Sequence, residues 1–509
     1  MVNILDCTLR DGGYYTNWDF SNDIVDAYIN ATNELPVNYL ELGYRNNPTE
    51  EYLGKFGYSP TTELRRLRNL SKKKLAVMLN EKSTAIEDLD YLIKPIQGYV
   101  DMIRLAVDPK NFDRAVKLAS AVKSYGFEVG FNMMYMSKWH EYDGLISNLH
   151  KLNGIADMFN MVDSFGGVKP KDVRDILSLV RQNTDCPVGF HGHNNLQLAL
   201  INTLTAIDCG VDSVDATILG MGRGAGNLNM ELLLTYLNEE GLKVDFNVLG
   251  DAITAFQPLF EKYRWGTNLP YMISGANSIP QKEVMAWVTN RTYSFNSIVR
   301  ALDNRKNKIA DNARYPLFEG RTAQKVILIG GGESVVEHKD AIREYVGNNP
   351  DIALIFVTAR HINYYMDLSN DKYICLVGNE AKRMKANIPT ETFNDTCILS
   401  PYPRTMGTEV PAYAESRTFE LRRMSFTNQY VDSCTAVALQ TAIDLEAQEV
   451  ELVGYDGYSG GVLSEKEADL SKENRILFRD FSTHRHCQLI SLTPTLYKDL
   501  KTVSIYQFL

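Results

Sequence analysis

A rhythm in roughly the first 220 residues restricts what this chain can fold into more than any other feature. Eight short apolar or β-branched runs, at 3–9, 39–43, 75–79, 102–107, 128–133, 158–162, 188–193 and 213–219, alternate with longer amphipathic stretches. Each run has strand length and each gap leaves room for one helix, the pattern of repeated βα units. Eight such units close into a (β/α)8 TIM barrel, whose active sites lie at the C-terminal ends of the strands. Those ends are polar here: Arg10 and Asp11 after the first run, Glu41, Asn80, Asp163 and Ser164, His191 with His193, and Asn227 just beyond the last.

The pattern then restarts. A helical, aromatic-rich stretch at 229–302 is followed by a polar segment, and at 325–329 a compact apolar run leads into Gly330-Gly331-Gly332-Glu333-Ser334. Further strands are predicted at 352–357, 373–377, 397–399 and 450–453, with a helix over 433–446. This is the layout of a second, open-sheet Rossmann-like α/β domain, in which strand C-terminal ends form the pocket. The predicted organisation is a barrel with a helical extension at 1–302, a linker at 303–324 and a Rossmann-like domain at 325–509.

Composition narrows the function classes. With 53 basic against 63 acidic residues the net charge is −10, which argues against capture of a nucleic-acid backbone while permitting a local anion pocket. Seven scattered cysteines, never at C-x-x-C spacing, suggest neither a disulfide scaffold nor a thiolate zinc site and fit a reducing compartment. The start, Met1-Val2-Asn3-Ile4-Leu5, lacks the composition of a secretion signal, and no apolar run reaches the roughly 20 residues of a membrane span. The expectation is a cytoplasmic protein, without membrane or nucleic-acid partners and compatible with homo-oligomer formation.

The sharpest chemical signal is His191-Gly192-His193. Residues two apart on a strand face one side and can offer two imidazoles to one ion, and Asp11 from the first unit can complete a two-histidine, one-carboxylate set. Such a set suits Mn²⁺, Mg²⁺, Co²⁺ or Zn²⁺, and ligand type alone does not choose among them.

Four ordered blocks carry a resemblance: Cys7-Thr8-Leu9-Arg10-Asp11-Gly12-Gly13, Val162-Asp163-Ser164-Phe165-Gly166-Gly167, Gly189-Phe190-His191-Gly192-His193-Asn194-Asn195 and Gly220-Met221-Gly222-Arg223-Gly224-Ala225-Gly226-Asn227. Over about residues 1–300 the chain resembles the DRE-TIM metallolyases, with 4-hydroxy-2-oxovalerate aldolases the nearest likeness, helped by Ile103-Arg104-Leu105-Ala106 and Val129-Gly130-Phe131-Asn132-Met133-Met134. The resemblance implies a divalent ion, Mn²⁺ foremost, on Asp11, His191 and His193 with Asn227 assisting. It further implies Arg10 stabilising an enolate, Ser164 positioning the substrate carboxylate, and Tyr271 at a substrate-pocket position. Ser164 reads equally as a turn or cap, and for Tyr271 plain packing is the preferred reading.

Two departures bear on mechanism. The aldolases carry a histidine base where this chain has Tyr14, a phenol with an ordinary pKa near 10 that is a poor base at neutral pH; either Tyr14 is the base, or it orients the substrate while Tyr15, another side chain or a metal-bound water moves the proton. The synthases of the same family carry glutamate where this chain has Gly13. The expected activity is therefore cleavage or formation of a C–C bond in a 4-hydroxy-2-oxo acid through a metal-stabilised pyruvate enolate, with an aldehyde as partner. The alternatives are a Claisen-type acyl-CoA/2-oxo acid synthase and a degenerate barrel serving as a scaffold.

The block from Asp432 to Ala436 and from Ala447 to Gly457 is similar to MptE-like pterin pyrophosphokinases and to a family of bacterial sialyltransferases. That likeness implies a nucleotide or nucleotide-sugar pocket formed by Gly332, Ser334, Ser433 and Asp456, against the plainer reading of tight βα turns. His484 and His486 form a second H-x-H, read as local or surface residues.

Overall fold

Alternation along the strands decides the first unit. On β4 (Met102–Val107), Ile103, Leu105 and Val107 join the apolar layer beneath the surrounding helices, while Arg104 between them points inward and bonds residues of three other strands. The period of two that separates these sets is intrinsic to a pleated strand. The computed structural model describes residues 2–50, 52–289, 295–308, 314–378, 380–388, 393–404, 408–458, 465–485 and 489–509. They divide into two units, Met1–Met285 and Ala286–Leu509.

In the first unit β1 (Asn3–Asp6), β2 (Tyr39–Tyr44), β3 (Lys74–Asn80), β4, β5 (Glu128–Met133), β6 (Met158–Asp163), β7 (Val188–Gly192) and β8 (Ser213–Ala216) form a closed barrel in chain order. Every neighbouring pair is parallel, and Leu5 opposite Asp215 closes the ring. The expected TIM barrel is present. Its first run is shorter than the reading 3–9, because a helix begins at Thr8 and carries Arg10 and Asp11. Those residues therefore sit on the first turns after β1 rather than on the strand. Between β5 and β6 the expected single helix is replaced by two 3-10 segments, Met136–Glu141 and Ile146–Leu152.

The barrel interior is polar. Glu41, Arg104, Asn132, Asn160, His191 and Asp215 are all buried there. Long side chains need space, and glycines on adjacent strands provide it: a Cβ at Gly130 would lie 2.8 Å from Arg104 Cγ, and one at Gly189 2.0 Å from Asn160 Oδ1.

The second unit is a parallel sheet with helices on both faces. Its strands are β9 (Lys325–Ile329), β10 (Ala353–Phe356), β11 (Lys372–Leu376), β12 (Thr396–Leu399), β13 (Thr418–Glu420), β14 (Glu449–Val453), β15 (Ile490–Ser491) and β16 (Lys501–Thr502). They run in the order β13-β12-β11-β10-β9-β14-β15-β16. One face, with Val326, Leu328 and Ile355, packs on the buried helix Cys434–Asp444; the other, with Ile327, Ile329 and Phe356, packs on Lys339–Gly347. Five of these strands match sequence-predicted runs. β13, β15 and β16 have only two or three residues each, too few to set up a readable alternation. Helix Phe295–Lys306 lies in this unit. No helix among the described residues is long and apolar enough to cross a membrane.

The tight interior generates a test. Gly189→Ala forces a methyl onto Asn160 inside the barrel, an overpacking that should cost about 1–3 kcal/mol. Tryptophan fluorescence during urea unfolding should report an earlier barrel transition, and an unchanged midpoint would show that the interior can yield.

Candidate metal centre and substrate cavity

The helix Thr8–Thr16 is the piece on which the site is hung. Gly12 and Gly13 sit inside it because neighbours leave no room for a side chain: a Cβ at Gly12 would lie 2.5 Å from Met221 Sδ, and one at Gly13 2.1 Å from Trp18 Cδ1. That close seating brings Arg10 and Asp11 over the mouth of the barrel. Arg10 donates through Nε to Glu41 Oε2 at 2.9 Å and through its guanidinium to Asp11. Glu41 Oε2 also accepts from Arg104 at 2.9 Å, and Arg104 donates to Asp215 Oδ2 at 2.6 Å. Asp215 Oδ2 in turn lies 2.9 Å from His191 Nδ1. A chain of alternating charge thus runs from Arg10 to Asp215, with His191 bonded at its end.

This chain sets the protonation of the site. Burial works to raise the Asp11 carboxyl, but Arg10, then His191 and His193, hold it below the usual carboxylate value. Burial acts likewise on Asp215, and Arg104 and His191 together outweigh it, leaving the carboxyl at about 2. Burial, then His191, lowers the His193 imidazole to about 4, so His193 is neutral near pH 7. Its Nδ1 donates to the Asp163 carbonyl at 2.7 Å, which leaves Nε2 as a lone-pair donor. With Asp215 engaging His191 Nδ1, its Nε2 is likewise turned inward, 3.7 Å from Asp11 Oδ2. Ring nitrogens oriented by an outer carboxylate or carbonyl are the usual arrangement of metal-binding imidazoles.

The donor set fits a divalent cation. Asp11, Glu41 and Asp215 bring three negative charges against two on Arg10 and Arg104, an excess of one negative charge in a buried place. Asn227 donates Nδ2 to Asp11 Oδ2 at 2.6 Å, while its Oδ1 is buried without a hydrogen-bond partner, an orphaned oxygen of the kind hard cations take. Among the described residues, ligand atoms of Cys7, Asp11 and His191 lie within 4.8 Å of one another. His193 is outside that tightest trio but shares the cavity, its ring centroid 4.9 Å from that of His191. Cys7 was not singled out from the sequence, although it opens the first quoted block. Burial, then Asp11, holds its thiol well above the ordinary value, so it enters as a neutral group.

Above these residues opens a cavity of about 300 Å³ lined by Arg10, Asp11, Tyr14, Ser164, His191 and His193 among others. Tyr14 and Tyr44 hydroxyls are 3.0 Å apart. A register slip between β2 and β3 separates Glu41 from Tyr44, and such an irregularity re-aims side chains; Glu41 faces the interior and Tyr44 the cavity. Ser164 Oγ accepts from the Tyr135 amide at 2.8 Å, leaving its proton for a ligand. Tyr271 is placed differently. It is 2% exposed, bonds Tyr15 and packs beneath Gly224 without lining the cavity. The sequence reading also passed over Tyr44, Arg223, Gln281 and Lys282 in the cavity wall.

In the second unit three of the four expected residues meet. Asp456 accepts from the Ser334 amide at 2.9 Å and from its hydroxyl, and a Cβ at Gly332 would lie 2.5 Å from Asp456 Cγ. They join the ends of β9 and β14, where strand order reverses. Ser433 is engaged separately, capping helix Cys434–Asp444 through the Ala436 amide at 3.0 Å and bonding Glu473. His484 is exposed, and His486 lies outside the described residues.

A family model described as HMGL-like matches residues 103–255. An oxaloacetate decarboxylase from Mycobacterium tuberculosis is 30% identical over 254 residues, 49% of this chain and 74% of that one. A 4-hydroxy-2-oxovalerate aldolase from Pelotomaculum thermopropionicum is 30% identical over 268 residues, 51% of this chain and 78% of its own. The solved N-terminal domain of a Bacteroides vulgatus protein, proposed there to be an aldolase, is 68% identical, covers 59% of this chain and 100% of that one, and superposes with a TM-score of 0.57.

The outer partner of His191 offers a direct check. Asp215→Asn should weaken Mn²⁺ binding by roughly 10–100-fold, the usual cost of losing such a support, as measured by titration calorimetry on the full chain. Unaltered affinity would mean that the Asp215–His191 pair does not serve an ion.

Proposed function

The chain belongs to the HMGL-like family, and from that premise we propose that its barrel is a divalent-metal-dependent lyase that cleaves or forms the C–C bond of a 4-hydroxy-2-oxo acid. The observation that carries this reading is the cavity itself, in which the Asp11 carboxylate, two imidazoles, a guanidinium and a phenol face one small space. At about 300 Å³ it lies at the lower end of ligand pockets and suits a small 2-oxo acid with an aldehyde better than an acyl-CoA.

Asp11, His191, His193 and Asn227 would hold the ion, with Mn²⁺ the first choice, and Cys7 beside them. Once bound, such an ion supplies a Lewis acid for the carboxylate and keto oxygens of a 2-oxo acid. Arg10 donates to the oxygen on which negative charge grows as the C–C bond breaks, a preorganised charge pairing of the oxyanion-hole kind. Ser164 offers its hydroxyl proton to the substrate carboxylate. Tyr14 relays the proton of the 4-hydroxyl in the cleavage direction, accepting it at its phenol oxygen as its own hydroxyl proton passes to water in the cavity, and the reverse transfer returns it in synthesis; the Tyr44 hydroxyl, 3.0 Å away, holds the phenol in place. Val162, Met134 and Phe165 form the apolar wall that limits water around the reacting carbons. The products in the cleavage direction are pyruvate and an aldehyde.

For the second unit we read the junction of Gly332, Ser334 and Asp456 as part of a nucleotide-recognising crevice, on the ground that it lies where strand order reverses in a parallel sheet. The free cysteines Cys186, Cys375 and Cys397 support a reducing compartment, and hence the cytoplasm.

Three measurements test the barrel reading. The Mn²⁺-loaded chain should release pyruvate from 4-hydroxy-2-oxo acids and exchange pyruvate methyl protons in D₂O; an intact, metal-binding protein that does neither would be a scaffold. Arg10→Ala should retain metal and lose roughly 10²-fold or more in turnover, whereas near-normal turnover would remove its electrostatic role. Tyr14→Phe should slow cleavage by roughly 10²-fold or more, and retained cleavage would place the base elsewhere.

A further inference from the structure

The charges of the inner cavity are paired, since Arg10 is bonded to Asp11 and Glu41. The outer half differs. Arg223 lines it from the loop after β8, its guanidinium 5.0 Å from the centre of the Tyr14 ring. Lys282 lines it at the rim, from the first turn of helix Gln281–Thr289. Asp11 is the one carboxylate among the described lining residues, and it is taken by Arg10 and Asn227. Arg223 and Lys282 have no acidic partner among the described residues.

Arg223 is also held in place. The Tyr15 hydroxyl donates to the Gly224 carbonyl at 3.0 Å, the Gly226 amide donates to the Arg223 carbonyl at 3.3 Å, and Gly224 adopts φ +63° against the Tyr271 ring. A guanidinium stacked on an aromatic face keeps its planar fork of donors free for bidentate contact with a carboxylate or phosphate. Two cations without acidic partners thus line the same cavity as the apolar Phe165 and Pro280, a setting that favours an anion, and the Arg223 guanidinium lies beside Tyr14.

We propose that this outer half is the aldehyde subsite and that it selects an aldehyde bearing a second anionic group, a phosphate or a carboxylate, a few bonds from its carbonyl. The inference rests on the lyase reading above and names its substrate class. In the synthetic direction the bond formed joins pyruvate C3 to the aldehyde carbon. The proton lost from C3 is balanced by one gained on the aldehyde oxygen, which becomes the 4-hydroxyl, so no oxidant or further reactant is required.

The test is condensation by the Mn²⁺-loaded full chain of pyruvate with acetaldehyde, with glyceraldehyde 3-phosphate and with succinic semialdehyde, read as kcat/KM, alongside pyruvate proton exchange in D₂O. One charged aldehyde should exceed acetaldehyde by roughly 100-fold or more, and which of the two does so tells phosphate from carboxylate. Arg223→Met and Lys282→Met should each lower that charged-to-neutral ratio by about 10-fold, mainly through KM, with partial recovery in Arg223→Lys. Because the ratio cancels losses common to both aldehydes, a purely structural role for either residue would leave it unmoved. Exchange without preference for either charged aldehyde, or a ratio unchanged in the variants, overturns the inference and leaves the lyase reading standing. No exchange at all overturns the lyase reading and the inference with it.

Discussion

Everything in the barrel depends on a line of buried charges that can exist only if each has its neighbour. Arg10, Glu41, Arg104 and Asp215 are bonded in that order, Asp215 holds the His191 ring at the end of the line, and all are buried. Removing ions from water is costly, and in a buried pair the loss of one partner leaves the other uncompensated at about 3–5 kcal/mol. An apolar filling of the same volume would stabilise the barrel at least as well. The polar filling therefore makes sense as a device that orients a site: it holds Asp11 ionised, fixes which nitrogen of His191 faces inward and places Arg10 beside the donor set.

That device needs a rigid frame and obtains one from glycine and from closure. Gly130 and Gly189 clear space for Arg104 and Asn160, and Gly12 and Gly13 let the helix after β1 sit against Met221 and Trp18. The charged line crosses strands β2, β4, β7 and β8 together with that helix, so the ends of distant strands are tied to one another. The more variable chemistry then falls to loops and helix ends around the mouth, where Tyr14, Ser164, Arg223 and Lys282 reach the cavity. This division of labour between an immobile centre and an adaptable rim is how one barrel serves many substrates.

Legibility followed the range of the interactions. Asp11, His191, His193 and Asn227 stood out because their spacing and chemistry are readable within short blocks, and the structure gathers them at one mouth. Asp215, Asn132 and Asn160 did not, since a single polar residue in an apolar strand looks the same whether it faces solvent or a barrel interior. Tyr271, placed near a substrate pocket only by resemblance, is packed against Tyr15 and Gly224, in keeping with the plainer packing reading. In the second unit the apolar runs of β9 to β12 and β14 were readable, whereas the short edge strands β13, β15 and β16 have no pattern of their own and exist only by pairing.

The sequence by itself determined the period of the elements and the kinds of groups available: eight βα repeats, two imidazoles and a carboxylate in fixed local blocks, and a second α/β pattern downstream. Periodicity is local, so it survives in one dimension. Only the tertiary structure decided which carboxylate meets which cation, because Arg104 reaches Asp215 across 111 residues of chain and that pairing depends on strand register and ring closure. The burial that turns these pairings into one cavity lined by Arg10, Asp11, His191 and His193 is a property of the closed barrel and of no single segment.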